Sequence, residues 1–545
     1  MRGGYSRSDL RADLIAGLTV AVVALPLAMA LAIASGAAPE KGVHTAIIAG
    51  FLISALGGSR VQIGGPTAAF IPVVFVVIEK FGYGGLILCT LMAGLMLIVA
   101  GLLRMGALMR YMPQPVITGF TAGIAVSIFS SQVKDLLGLR IEHLPAAFLP
   151  KWQAYGAHLD SFSPSSLILA SGCVALIVLL RKYRPLWPTF LIAVVLGSLL
   201  PLLVAAEVPT IGTAFGRIPA ALPGLELPAI PWQRLGELLP SAFTIAFLGG
   251  VESLLSAVVA DGMTGGRHRS NGELVAQGVA NCASALFGGL PATGAIARTA
   301  TNVRAGARSP IAGIAHALFL LLFMLVAAPL MAFVPLATLA AVLVIVAWNM
   351  SEIEQFKHLL RGHWGDRLVL LVTFALTVAF DLTVAIEVGV VLASFLFMQR
   401  MTEIVSVQAT GVLADDLDDP DQPEGPDQRD QLPAGVAAFR IAGPLFFAVA
   451  NRLDGVLDQM PVAPRVFILR MRRVPMIDAS GAYALKQFLA RCRKHGTSVI
   501  LSGVQAQPHQ VLLSQGVGDA DNLLGFADSF EAALAWAGQV PAGQP

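Results

Sequence analysis

Between Leu14 and Met398 the chain is a near-unbroken succession of apolar runs, each of membrane-spanning length or somewhat shorter. In hydrocarbon every backbone N–H and C=O needs an internal partner, so such runs fold as helices and the whole segment as a polytopic helical bundle. Charged residues make up 13% of the 545, against about 25% in soluble domains. The surplus apolar surface therefore faces lipid or other helices. A net charge of +2 gives no reason to invoke nucleic acid as a partner. The four cysteines, Cys89, Cys173, Cys282 and Cys492, are far apart and carry neither disulfide nor metal spacing.

The runs fall into two sets of seven. The first set is Leu14–Ala34, Thr45–Gly57, Thr67–Ile78, Leu86–Leu103, Val116–Leu137, Leu167–Leu180 and Thr189–Ala206. The second is Leu239–Val259, Leu274–Phe287, Ala295–Arg304, Ile311–Ala328, Leu336–Trp348, Leu368–Phe380 and Val384–Met398. This predicts a transmembrane domain over 1–402, built of a repeat at about 10–206 and another at about 235–400. Several runs fall short of the ~20 residues a full crossing needs.

Two of the short runs are introduced alike. Gly64-Gly65-Pro66-Thr67-Ala68-Ala69 and Gly288-Gly289-Leu290-Pro291-Ala292-Thr293-Gly294-Ala295-Ile296-Ala297 each give Gly and Pro, then small residues and a hydroxyl. In a membrane this pattern predicts helices that begin partway through the bilayer, with free N–H groups aimed at one central place. Such pairs in corresponding positions of two halves point to a transporter's binding site. No Gly-x-x-x-x-Gly-Lys-Ser/Thr loop accompanies them, so nucleotide hydrolysis is not expected.

Loop charges orient the bundle. With the N-terminus inside, the inner loops carry Arg60, Arg104, Arg110, the Arg181–Arg184 cluster, Arg267, Arg269, Arg304, Arg308, Lys357, Arg361 and Arg367. The outer loops carry Lys41, Lys80, Lys134, Arg140, Lys151, Arg217 and Arg234, and three connections carry neither Lys nor Arg. This excess predicts a cytoplasmic N-terminus, and an even number of spans returns the C-terminus to the same side.

After Arg400 the character changes. The acidic, Pro-containing stretch around Asp415–Glu424 predicts a linker over 403–434. Residues 435–545 then read as a soluble α/β domain. Val436–Ile441, Leu445–Ala448, Val466–Leu469 and Ser498–Leu501 are strand-like, while Ala482–Cys492 and Gln507–Gln515 are helix-like. In Ile477-Asp478-Ala479-Ser480-Gly481 either Asp478 or Ser480 can cap a helix. Phosphate acceptance at Ser480 is the other reading.

The site candidates are few. Arg298 follows the second Gly/Pro break by one helical turn, beside the positive end of the helix dipole, where both features attract an anion. Its alternative role is an ion pair with Glu252 or Asp261. Those two carboxylates lie nine residues apart on one run, on opposite helix faces. Glu252 is deep enough to partner a cation or a proton, whereas Asp261 marks a helix end. Glu40, after the first span, either gathers a co-transported proton or is a solvated charge beside Lys41.

These residues resemble the SulP family of anion transporters, the bacterial relatives of the animal sulfate/chloride/bicarbonate carriers. The resemblance is carried by Pro39-Glu40-Lys41-Gly42-Val43-His44-Thr45, Gly58-Ser59-Arg60, Gly65-Pro66-Thr67, Glu252-Ser253-Leu254-Leu255, Arg298-Thr299-Ala300-Thr301-Asn302 and Asp478-Ala479-Ser480-Gly481. It implies fourteen spans as 7+7 inverted repeats arranged in core and gate bundles, homodimers in the bacterial inner membrane, and a C-terminal cytoplasmic STAS domain able to bind a cytoplasmic protein. It further implies a pocket between the third and tenth spans, lined by Leu27, Leu31, Thr67, Ala68, Glu252, Ala295, Ile296, Ala297 and Arg298.

The chain departs from the commoner pattern at Val43-His44, where Leu-Tyr is usual, at Leu27, a Gln in animal members, and at Ala297, a Ser there. Fewer side-chain hydrogen bonds remain, which argues against a chloride/bicarbonate exchanger. The stretches Arg298–Ala307 and Val346–Glu352 resemble the bacterial C4-dicarboxylate branch, implying succinate or fumarate moved with protons. The rival expectation is a sodium-coupled bicarbonate or sulfate importer, with Asp261 or Thr264 helping to hold the ion. No resident cofactor or metal is expected; the co-transported ion is a proton or sodium.

Overall fold

The computed structural model describes residues 5–107, 112–184, 187–204, 207–216, 219, 221, 224–225, 234–380, 382–404, 406–409, 432–446 and 463–540. They divide into two compact units, Met1–Ala393 and Ser394–Pro545.

The first unit is helical. Helix α1 (Arg7–Ala34) opens on a capping box, in which Ser6 Oγ accepts the Asp9 amide at 3.1 Å and Asp9 accepts the Ser6 amide at 2.9 Å. Helix α2 (Pro39–Leu56) starts on a proline, whose missing N–H would have had no intrahelical partner there. Strand β1 (Gly64–Gly65) and a 3-10 turn (Ala68–Phe70) lead into α3 (Ile71–Leu102). Next come α4 (Gln114–Leu137), α5 (Phe148–Ala157), α6 (Pro164–Tyr183), α7 (Thr189–Val204) and α8 (Ile211–Phe215).

The same order then recurs. Helices α9 (Leu235–Thr264) and α10 (Ser270–Leu286) precede strand β2 (Thr293–Gly294) and the nine-residue helix α11 (Ile296–Arg304). After them run α12 (Ile311–Met331), α13 (Leu336–Met350), α14 (Ile353–Leu360), α15 (Trp364–Ala379) and α16 (Leu382–Ile404). Each of the fourteen apolar runs overlaps a helix. Runs three and four share α3, where Gly82 at φ +71° breaks the helix between them. Seven helical stretches are long and apolar enough to cross a bilayer among the described residues.

Two bundles emerge from the packing. In one, α3 lies on α9 and α10, α12 on α1 and α2, and α11 on α9. In the other, α4 lies on α13 and α15, and α6 on α7 and α13. Small residues set the closest approaches, as membrane helices require without a hydrophobic force between them. A Cβ at Gly278 of α10 would stand 2.5 Å from the Gly94 carbonyl of α3, and one at Gly17 of α1 would stand 2.5 Å from the Ala312 carbonyl of α12.

The second unit is a five-stranded sheet of order β3 (Ser406–Ala409), β4 (Val436–Ala442), β5 (Val466–Arg473), β6 (Ser498–Ser502) and β7 (Leu523–Ala527). The last four strands are parallel and β3 pairs antiparallel with β4. Alternating residues of β5 serve opposite faces. Phe467 and Leu469 pack with Phe488 of α17 (Ala479–Lys494), near α18 (Ala506–Ser514), and Val466 and Ile468 pack with Phe530 of α19 (Phe530–Gln539).

Two sequence boundaries need correction here. The linker placed over 403–434 contains a paired edge strand at 406–409, and its acidic stretch at 415–424 lies outside the described residues. Leu445 forms only a single bridge with Ile477 rather than opening a strand, and 447–448 lie outside the described residues. Strand β7 and helix α19 were not foreseen, because five residues with a central Gly525 carry no alternation to read.

Candidate functional site

The two short strands cross at the middle of the first unit. They pair antiparallel, Gly64 opposite Gly294 and Gly65 opposite Thr293, and the Ala295 amide donates to the Ile63 carbonyl at 2.8 Å. Backbone N–H and C=O groups that would be costly in lipid thereby satisfy one another between the halves. The pairing sets side by side the start of the 3-10 turn at Ala68 and the start of α11 at Ile296.

Polar side chains hold the crossing in place. Gln62 Nε2 donates to the Ser253 carbonyl of α9 at 3.1 Å, and Thr293 Oγ1 to the Gly249 carbonyl at 2.9 Å. Thr299 Oγ1 accepts the Ile63 amide and the Ser256 hydroxyl, both at 3.1 Å. Asn302 Nδ2 reaches the Val61 carbonyl at 2.9 Å. Asn281 brackets Ala292, accepting its amide and donating to its carbonyl, each at 2.8 Å.

Arg298 is 4% exposed. Its Nη2 donates to the Pro66 carbonyl, across from one half-helix start to the other. Its Nη1 is buried with no hydrogen-bond partner. Gly65 makes room for it, since a Cβ there would stand 2.7 Å from Nη1 at a backbone φ of +149°. The second carboxylate-bearing element is α9, where Glu252 Oε2 accepts the Thr67 hydroxyl at 3.0 Å. Among the described residues Glu252 and Arg298 form no ion pair, and Asp261 is paired instead with His268, Oδ2 to Nδ1 at 2.6 Å. Asp261 is thus committed elsewhere, while Glu252 acts on Arg298 through space without a contact of ion-pair length.

The other candidates divide. Ala68, Ala295 and Leu31 are buried and Leu27 is half-buried, with Leu31 and Ala68 in one apolar cluster that Leu27 joins. Ile296, 38% exposed, and Ala297 form the open side. Glu40 lies in the first turn of α2, with no hydrogen bond or ion pair to the site among the described residues. Thr264 Oγ1 returns to the Ala260 carbonyl at 2.7 Å. In the second unit, Asp478 caps α17 by accepting the Gly481 amide at 2.7 Å, and Ser480 is exposed. The sequence reading gave no fastening role to Gln62, Asn281, Thr299 and Asn302, although polar side chains within or beside apolar runs are themselves the available signal.

Oriented peptide N–H groups at two half-helix starts, a buried guanidinium with a free N–H arm and a nearby protonatable carboxyl together suit a small anion. Comparison with known proteins agrees. The sulfate permease family matches residues 10–373 and the STAS domain matches 430–528. "Putative sulfate transporter YvdB" of Bacillus subtilis is 40% identical over 519 residues, 94% of this chain and 95% of that one. The transmembrane domain of a cyanobacterium bicarbonate transporter, BicA, is 33% identical with a TM-score of 0.64, covering 70% of this chain and 98% of that one. Murine Slc26a9, an anion transporter solved in the inward-facing state, shares the fold at a TM-score of 0.87 and 20% identity, over 98% of this chain and 93% of that one.

Proposed function

The chain belongs to the sulfate permease family of anion transporters and is not an enzyme, and from that premise we propose that it is a secondary active carrier for C4-dicarboxylates such as succinate and fumarate, moved with protons. The observation that carries the reading is the pair of facing half-helix starts with Arg298 between them, its Nη1 unpartnered. Each helix N-terminus contributes the equivalent of about half a positive charge. The guanidinium adds a full one. Glu252, bonded to Thr67 rather than to Arg298, is free to take up a proton when the site loads.

The dicarboxylate assignment rests on the Arg298–Ala307 and Val346–Glu352 stretches and on the apolar lining at Leu27, Leu31 and Ala297. A second reading, import of bicarbonate with sodium or of sulfate, is supported by the relatives named for those anions. Proteoliposomes offered labelled succinate, fumarate, sulfate and bicarbonate under imposed pH and sodium gradients separate the two. Uptake of dicarboxylate driven by inward protons supports the first, and sodium-driven bicarbonate uptake replaces it.

The carrier is further proposed to work as a homodimer, with both termini and the STAS domain in the cytoplasm and with the half-helix bundle moving past the other as access alternates. Native mass measurement in detergent tests the stoichiometry.

A further inference from the structure

Away from the half-helix starts, a partly open cavity of about 60 Å³ lies between the two bundles, room for roughly four waters or one small anion. Phe75 of α3 and Ser241 of α9 line one side, and Ser127 and Ser131 of α4 with Thr377 of α15 line the other. Ser241 is near the beginning of α9, so this cavity is at the end of the bundle opposite Asp261 and His268.

Lys151 of α5 closes the cavity. It is 8% exposed, and its Nζ has no hydrogen-bond acceptor among the described residues. The ammonium stands 5.4 Å from the centroid of the Phe75 ring. Glu79 acts on it from a distance but forms no ion pair with it, accepting instead the Ala146 amide at 3.3 Å. Burial pulls the Lys151 pKa below its ordinary value, and Glu79 opposes the pull. An ammonium this largely withdrawn from water has lost part of its hydration, and an anion can replace it. Phe75 and the central site share one element: the half-helix that begins at the anion pocket passes this cavity one turn further on.

The Ser131 and Thr377 hydroxyls donate to the carbonyls of Ile128 and Thr373, each at 2.7 Å, which leaves those of Ser127 and Ser241. We propose that Lys151, with the hydroxyls of Ser127 and Ser241, forms a second anion station between the central site and one face of the membrane. This rests on the anion-carrier reading. An anion leaving the half-helix starts meets the Ser127 and Ser241 hydroxyls and a largely buried cation on its way out. Because the lining comes from both bundles, the station is assembled only while they are together on this side.

The test uses the full chain in proteoliposomes with labelled succinate, sulfate and bicarbonate. Lys151→Gln is expected to raise the half-saturation concentration for the transported anion on that face roughly ten-fold, as loss of a charged contact does, with the opposite face changed less than about two-fold. Lys151→Arg should keep wild-type behaviour, and Leu149→Ala, on the same helix but 70% exposed and outside the cavity lining, should leave half-saturation unchanged. The thermal midpoint of Lys151→Gln should equal or exceed the wild-type one, because the cost of withdrawing an ammonium from water is removed. Unchanged half-saturation in Lys151→Gln, or a change in that variant accompanied by a lowered midpoint, overturns the station and leaves the carrier reading intact. No uptake of any of the three anions by the wild type overturns the carrier reading, and the station with it.

Discussion

Arg298 of α11 donates through Nη2 to the carbonyl of Pro66, so the cation of one repeat is held by the backbone just before the half-helix of the other. That bond uses one arm and leaves Nη1 free. Arg298→Ala is expected to lower uptake, measured as maximal rate over half-saturation, roughly 10- to 100-fold, the range for lost hydrogen bonds to charged groups. Arg298→Lys keeps the charge but cannot grip Pro66 while also presenting a second donor. It should fall between the two. Full transport by the alanine variant would remove the anion role.

Glu252 and Thr67 form the neighbouring pair, 3.0 Å apart. Glu252→Gln retains an oxygen to accept the hydroxyl but cannot carry a proton. The expected result is loss of accumulation driven by a pH gradient with exchange of labelled for unlabelled anion retained. Thr67→Val removes the hydroxyl that donates to Glu252 and leaves the backbone donors in place. Its uptake should drop by less than about ten-fold, a smaller loss than Arg298→Ala produces.

The bundle was legible because its signal is local. Apolar runs mark helices, and Gly-Gly-Pro and Gly-Gly-Leu-Pro mark the two breaks. Helix ends were less legible, since α2 and α6 begin on polar or proline turns that hydropathy does not register. What was not legible is the fastening across the repeats. Gln62 meets Ser253, and Ile63 meets Thr299, from 191 and 236 residues away, and no pattern in one chain records such pairings. Lys151 read as a loop charge for the same reason. The segment after Val116–Leu137 is polar enough to be called solvated until the cavity it closes is seen.

Gly65 combines a φ of +149°, which L side chains rarely adopt, with a space that Arg298 fills. Gly65→Ala should strain the backbone by about 1–3 kcal/mol and displace the guanidinium. Both the thermal midpoint and uptake are expected to fall. Gly84→Ala is the control, since a Cβ there meets nothing within 4 Å. It should match the wild type in both measurements.

In the second unit, burial pushes the Cys492 thiol up to about 12, against the small opposing effect of Arg491. The thiolate is the reactive form, so the folded protein should resist iodoacetamide throughout pH 7–9. In urea the thiol returns to the ordinary ~8.5, and its alkylation should then accelerate as pH rises across that window. A Cys89→Ala, Cys173→Ala, Cys282→Ala background isolates the measurement. Rapid alkylation of the folded chain at pH 8 would contradict the burial of this residue against β5 and β6.

Asp261 and His268 bear on the coupling ion. Asp261 Oδ2 accepts both the ring Nδ1 of His268, at 2.6 Å, and the His268 amide, at 3.0 Å, while His268 Nε2 meets Ser270 Oγ at 3.0 Å. The carboxylate oxygen is thus engaged in fixing the turn from α9 into α10, and Thr264, the other proposed sodium ligand, spends its hydroxyl proton on Ala260. A sodium ion at this place would have to displace a buried imidazole whose side chain is 1% exposed. Asp261→Asn should therefore destabilise the fold by about 1–3 kcal/mol, the penalty for weakening a buried charged hydrogen bond. It should leave half-saturation for the anion, and any dependence on sodium, within about two-fold of wild type. If Asp261→Asn abolishes a sodium dependence while the thermal midpoint stays put, the carboxylate is a cation ligand and the turn-fixing role assigned to it is wrong.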